Sequence, residues 1–167
     1  MSLQIRVAKQ TDLPAITEIY NQAIESGTST ADIAAVSLAN RRKWLAAHNE
    51  DYPVFVAEEK GFVKGWCSLS PYRPGRMALR QTAEISYYIH KDFHGMGIGS
   101  SLIAEIINRC SDLGIKVLFA ILLDTNYSSI GILEKFEFKK WGHLPGVAEF
   151  ENRLCGHLYY GRRVVTS

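Results

Sequence analysis

Long apolar runs, a surplus of one charge and paired cysteines are all absent from this chain. No stretch approaches the roughly 20 apolar residues that a membrane-spanning helix needs. Residues 1–10 mix polar and apolar types and contain no leader-like apolar core. The three cysteines, Cys67, Cys110 and Cys155, are odd in number and lack Cys-x-x-Cys spacing, so reduced and mostly buried thiols are expected. His48, His90, His94, His143 and His157 form no metal-ligand pattern with them, and no metal is expected. The formal charge is only +2, and Lys and Arg are scattered where a nucleic-acid binder would gather them in a stripe. No internal repeat or low-complexity linker occurs. These absences point to a soluble, cytoplasmic protein that binds neither nucleic acid nor membrane. What remains is an ordinary globular balance, 47% hydrophobic and 22% charged over 167 residues, which suits one domain, residues 1–167, with a real core.

The hydrophobic pattern predicts a strand over 3–7, then a helix with Thr11 or Asp12 as N-cap and Pro14 in its first turn. Leu13, Ile16, Ile19, Tyr20, Ala23 and Ile24 form its inner face, and Gly27 ends it. A loop follows over 28–36, and Ser37 is placed to cap a second helix. Residues 54–58 and 62–69 read as a hairpin turning at Lys60-Gly61, and 83–90 as another strand. A helix that Gly114 stops comes next, followed by an apolar strand over 117–123 of the kind buried inside a sheet. A turn and short helix cover 126–136, and two last strands are expected at 137–142 and 154–160. Three strands run together without helices between them, so the fold class is α/β with a central mixed sheet and not a doubly wound one.

The informative stretch is His94, Gly95, Met96, Gly97, Ile98, Gly99 and Ser100, between a strand and a strong helix. Alternating glycines permit positive φ, so successive backbone N–H groups can converge on one anion, and the helix N-terminus adds more of them. A phosphate or pyrophosphate is the natural ligand. A P-loop would require Gly-Lys-Ser/Thr, but Gly99 is followed by Ser100-Ser101. A dinucleotide fingerprint would require glycine at Ser100 or at Leu102, and it usually opens a domain instead of following its middle. A turn that only packs strand against helix is the bland alternative.

The segment from His94 to Gly99 resembles the acyl-CoA pyrophosphate turn of the GNAT superfamily, Gln/Arg-x-x-Gly-x-Gly/Ala after the fourth strand, with His94 in the Gln/Arg place. Ile19-Tyr20-Asn21, Thr82-Ala83-Glu84 and Asn126-Tyr127-Ser128-Ser129-Ile130 look like the phosphinothricin and methionine sulfoximine acetyltransferases, and the likeness runs from about residue 3 to 140. It implies a GNAT-like (acyl-CoA N-acyltransferase) fold, with a mostly antiparallel twisted sheet flanked by helices. It also implies a homodimer, acetyl-CoA as donor and a small amino-acid-like amine as acceptor. The tail departs from the relatives. Leu133 stands in place of their His or Tyr, Glu137 in place of a Gly, and of a later Lys-Phe-Gly-x-Trp-x-Asp only Phe150 is kept.

On this resemblance Glu84 is the general base, because an alkyl ammonium with a pKa of about 10 must lose a proton before it attacks. The Tyr87 backbone N–H is expected to hold the oxyanion. Tyr87 and Ile89 are expected to pair with pantetheine as an added strand, with Asn126 bonding the same arm. Arg73 and Arg80 match places where relatives carry basic residues near substrate, and Thr82 accompanies Glu84 there. Leu133 cannot give a proton to the leaving thiolate; Tyr127 is a candidate for that role, which stays open. The bland readings are a solvated or ion-paired Glu84, a turn-forming Asn126 and solvated arginines. Two other functions stay open: acetylation of a protein or peptide amine, and a non-catalytic CoA-binding module.

Overall fold

The computed structural model describes residues 2–164. Its elements run β1 (Gln4–Val7), α1 (Leu13–Ser26), α2 (Leu38–Ala46), β2 (Val54–Glu59), β3 (Phe62–Pro71), β4 (Thr82–Ile89), α3 (Ile98–Arg109), β5 (Val117–Leu123), α4 (Tyr127–Lys135), β6 (Lys139–Phe150) and β7 (Arg153–Arg163). The seven strands form one sheet in the order β1-β2-β3-β4-β5-β7-β6. Only the β4–β5 pair is parallel; every other neighbour is antiparallel. None of the described helices is long and apolar enough to cross a membrane.

Strand alternation divides the core into two layers. Val54, Val56 and Trp66 face α1, whose Ile16, Ile19 and Tyr20 cover them. Phe55, Ala57, Cys67, Leu69, Ala83 and Ile85 face the other way, toward Leu102, Ile103 and Ile106 of α3 and Leu133 of α4. All three cysteines are free and buried.

Two expectations need correction. Asp12 occupies the N-cap position of α1, yet its carboxylate caps nothing there. It accepts both arms of the Arg6 fork, at 2.8 and 2.9 Å, and the Lys9 amide at 2.7 Å. Charge-assisted bonds from β1 outcompete the neutral amides of the helix. The last two strands are also longer than expected, 139–150 and 153–163, and form one hairpin. β6 is an edge strand exposed along most of its length, and register shifts at Lys140/Gly142 and Leu144/Ala148 break the two-residue period that would have announced it.

Arg6 also bonds Glu58, so this cluster ties β1 to β2 and to the start of α1. Burial on its own would lift the Asp12 carboxyl, but the Arg6 fork and the Lys9 amide hold it below the ordinary value. A depressed folded-state pKa adds stability above the unfolded value near 4, which is lost as pH falls through the folded value. Asp12→Ala should therefore lower the unfolding free energy by about 1.5–3 kcal/mol at neutral pH. Wild type should converge on the variant as pH drops below about 4. Urea midpoints of both proteins against pH check this, and equal midpoints at pH 7 would contradict it.

Candidate active site

β4 and β5 are hydrogen-bonded neighbours for only three residue pairs, Thr82↔Val117, Ala83↔Leu118 and Glu84↔Phe119. Beyond them β4 stays with β3 as far as Gly65↔Ile89, while β5 follows β7 to Leu123↔His157. The two strands therefore fork after Glu84. Tyr72 N–H donates to the Thr82 carbonyl and His90 N–H to the Lys64 carbonyl, so the even positions of β4 turn their backbone toward β3. In an antiparallel ladder the odd positions must then turn theirs the other way. Backbone groups of Tyr87 and Ile89 thus face the fork, beyond the last residue pair that β4 makes with β5.

The glycine turn lies beyond the far end of this open edge. Gly95 (φ 74°) and Gly97 (φ 79°) are left-handed, and Gly97 is the N-cap of α3. Among the described residues, no backbone or side-chain acceptor takes the amides of residues 94–100. The first intrahelical bond is Ser101 N–H to the Gly97 carbonyl. The turn therefore presents a run of unpaired N–H groups at a helix N-terminus, an anion site by construction. His94 contributes its amide only. Its ring folds back, and Nε2 donates to the Ile89 carbonyl at 2.9 Å, since a carbonyl can only accept.

A cavity of about 600 Å³ follows the turn and the open edge, with Ile89, Gly97, Tyr87, Asn126 and Ser129 among its lining. A narrow gap of about 30 Å³ continues into the fork between Ile85, Tyr87, Ala120, Leu122 and Leu133. The loop after α1 lies beside both spaces. It is held by Tyr20 O–H to Asp32 and by a two-way bond between the Asn21 amide and the Val36 backbone, at 3.1 and 2.9 Å. Asn21, singled out by the resemblance, is thus a strut for this loop. A hollow of about 700 Å³ near Lys9, His48 and Arg109 shares no lining residue with the cavity.

Glu84 occupies the crotch of the fork, on the same sheet face as Tyr88 and Thr82. Its carboxylate has no hydrogen bond or ion pair among the described residues, and burial raises its pKa above the ordinary value. Register puts Ser70, Phe119 and Gly161 in the same row across the sheet. Tyr72 packs edge-on against Phe119 with centroids 4.7 Å apart, and Tyr159 stacks on it at 6.1 Å. The Trp141 ring lies over Gly161, where any Cβ would collide with it. Sequence reasoning missed this aromatic wall. Its members come from three strands and a loop, and only the register brings them together.

The remaining expected residues divide. Asn126 lines the cavity, but its Oδ1 is already the cap of α4, accepting Ser129 N–H at 3.2 Å. Only its NH₂ is left to donate. Arg73 and Arg80 are exposed on the β3–β4 loop, and the Arg80 guanidinium donates to the Met77 carbonyl at 2.9 Å. The structure draws neither arginine into contact with Glu84. Tyr127 is 76% exposed, and it lines neither the gap nor the cavity. Leu133 is fully buried behind the fork.

Residues 13–138 match the family described as acetyltransferase (GNAT) family. The chain is 36% identical over 151 residues to an L-methionine sulfoximine/L-methionine sulfone acetyltransferase of Pseudomonas paraeruginosa, covering 89% of this chain and 87% of that one. An N-acetyltransferase structure from Staphylococcus aureus Mu50 superposes with a TM-score of 0.93 at 31% identity, covering 99% of this chain and 100% of the other. A phosphinothricin acetyltransferase from Sinorhizobium meliloti, solved in complex with acetyl-CoA, does so with a TM-score of 0.90 at 29% identity, covering 98% and 89%.

Because the Asn126 oxygen caps α4, Asn126→Ala should cost about 1 kcal/mol of stability. Asn126→Asp keeps the cap oxygen and should stay within a few tenths of wild type, roughly the spread among good N-cap residues. Denaturant unfolding of the two variants checks this; equal losses would show that the cap oxygen is not what matters.

Proposed function

The chain belongs to the acetyltransferase (GNAT) family, and we propose that it is an acetyl-CoA-dependent enzyme that acetylates the primary amine of a small, amino-acid-like molecule. The observation that carries this is the open β4 edge, with unpaired amides beyond one end and an unpaired carboxylate at the other. The complex of the Sinorhizobium relative supports acetyl-CoA as donor, and the name of the Pseudomonas relative supports the acceptor class.

In this reading the amides of residues 94–100 take the diphosphate. From Ile89 to Glu84 the strand rises about 17 Å at ~3.3 Å per residue, a span commensurate with the extended pantetheine arm. The arm bonds the backbone of Tyr87 and Ile89 and receives the Asn126 NH₂, which leaves the thioester at the fork. Glu84 removes a proton from the acceptor ammonium, directly or through water. The freed amine attacks the thioester carbon, and the oxyanion that forms is held by the Tyr87 backbone N–H. The tetrahedral intermediate then gives up its second nitrogen proton to water and expels the thiolate. The aromatic wall of Tyr72, Phe119, Tyr159 and Trp141 receives the acceptor beside Glu84 and Thr82. Arg73 and Arg80 are the groups that reach for an acceptor carboxylate from the loop. The exposed apolar side chains Trp141, Leu144, Val147 and Leu154 on the β6–β7 hairpin support the expected homodimer.

The test is thiol release from acetyl-CoA with a panel of amino acids, polyamines and peptides. Turnover confined to peptides would move the acceptor to proteins, and cofactor binding without turnover on any amine would sink the enzyme reading. Glu84→Gln should lower turnover at pH 7 at least ~100-fold; an unchanged rate removes Glu84 as base. A base works deprotonated and Glu84 titrates high. Wild-type activity should therefore begin to fall, as pH is lowered, above the ordinary carboxyl value of about 4.3.

A further inference from the structure

Among the described residues, two buried side-chain polar atoms have no hydrogen-bond partner, Trp66 Nε1 and Tyr87 Oη. The indole is packed among the rings of Tyr20, Trp44 and Tyr88 in the core layer under α1. The Tyr87 hydroxyl is different, because its residue lines both the cavity and the narrow gap that runs into the fork. Ser129 is near it without forming a hydrogen bond of acceptable geometry. A buried phenol without a partner is destabilising, and a buried hydroxyl normally finds one. Among the described residues the Ser129 side chain comes near enough to compensate in part, and it falls short of full hydrogen-bond geometry.

Tyr87 and Glu84 are three residues apart on one strand, so their side chains leave opposite faces of the sheet. Glu84 lies on the α1 face, while Tyr87 packs against the core layer under α3 and α4, where Leu133 closes the gap. Addition and elimination at a thioester need this separation. The amine approaches from one direction, and the sulfur leaves in another.

We propose that the Tyr87 hydroxyl is a catalytic hydrogen-bond donor to the cofactor sulfur, filling the role that Leu133 cannot. The proposal rests on the acetyltransferase reading above. In the elimination step the C–S bond breaks and its electron pair stays on sulfur, while the new C–N bond is retained; of the two protons the ammonium nitrogen loses, the first has gone to Glu84 and the second passes to water. The phenol O–H donates to the forming thiolate and keeps its own proton; burial, slightly opposed by Ser129, pushes its pKa up to about 12. The thiolate takes a proton from water after release, since its ordinary value of about 8.5 lies above neutral pH.

Tyr87→Phe removes one oxygen and leaves the backbone N–H in place. Three measurements are needed: kcat at saturating acetyl-CoA and acceptor, the acetyl-CoA dissociation constant by calorimetry, and the melting temperature of the free protein. The expected result is a kcat lower by about 10- to 100-fold, a dissociation constant within about threefold, and a melting temperature equal to wild type or higher. That combination marks a hydroxyl reserved for the transition state at the expense of the free fold. An unchanged kcat overturns the proposal. So does a lower melting temperature, which would mean that the hydroxyl has a structural partner. Weakened cofactor binding at constant kcat overturns it too, since the hydroxyl would then bond the arm and not the sulfur. Wild type silent on every amine would sink the acetyltransferase reading itself, and this proposal with it.

Discussion

The separation of β4 from β5 after three residue pairs is the constraint on which the rest of the structure depends. A seven-stranded sheet that stayed paired would have no orphaned backbone in its middle. Here the chain builds two antiparallel ribbons, β1 to β4 and β5 to β7, and joins them only at the base. Each ribbon keeps its own partner, so beyond the base β4 follows β3 and β5 follows β7. The open edge of β4 leaves backbone donors and acceptors without a neighbouring strand, along a cavity of about 600 Å³. An amide-bearing ligand of strand-like shape would supply the missing partners.

The two core layers hold the fork open from opposite sides. On one, α1 and the Trp66 cluster support the face that carries Glu84 and the aromatic wall. On the other, α3 and α4 support the face that carries Tyr87 and Leu133. Strand alternation thus puts the Glu84 carboxylate and the Tyr87 phenol on different sides of the sheet without any loop having to choose. The glycine turn follows from the same strand: β4 ends, Gly95 and Gly97 turn left-handed, and α3 starts with its first amides facing the cavity.

Much of this was legible in the sequence because its signals are local. The alternating glycines, the apolar strand over 117–123 and the helix periodicities each lie within a dozen residues, and the elements appear where those signals put them. Glu137 is instructive. Relatives were expected to carry glycine there, and the residue keeps the left-handed conformation, φ 64°, without the glycine. The long β6–β7 hairpin was only half visible, since an exposed edge strand with two register shifts has no period to read. The aromatic wall and the unpartnered Tyr87 hydroxyl were not visible at all. Both arise from residues far apart in sequence, or from a void, and periodicity encodes neither. Asn126 was read as bonding the pantetheine, and its NH₂ remains available for that; the cap its oxygen makes on α4 is close to the turn-forming alternative that the same residue type also offers.

On this reading the unpaired amides of residues 94–100 grip a diphosphate at the head of the open strand edge. The most direct measurement is a crystal structure of the protein with coenzyme A. Diphosphate oxygens should lie within about 3 Å of several of those amide nitrogens, with the pantetheine running along β4 toward Glu84. A diphosphate bound elsewhere, with the turn's amides facing solvent, would contradict it.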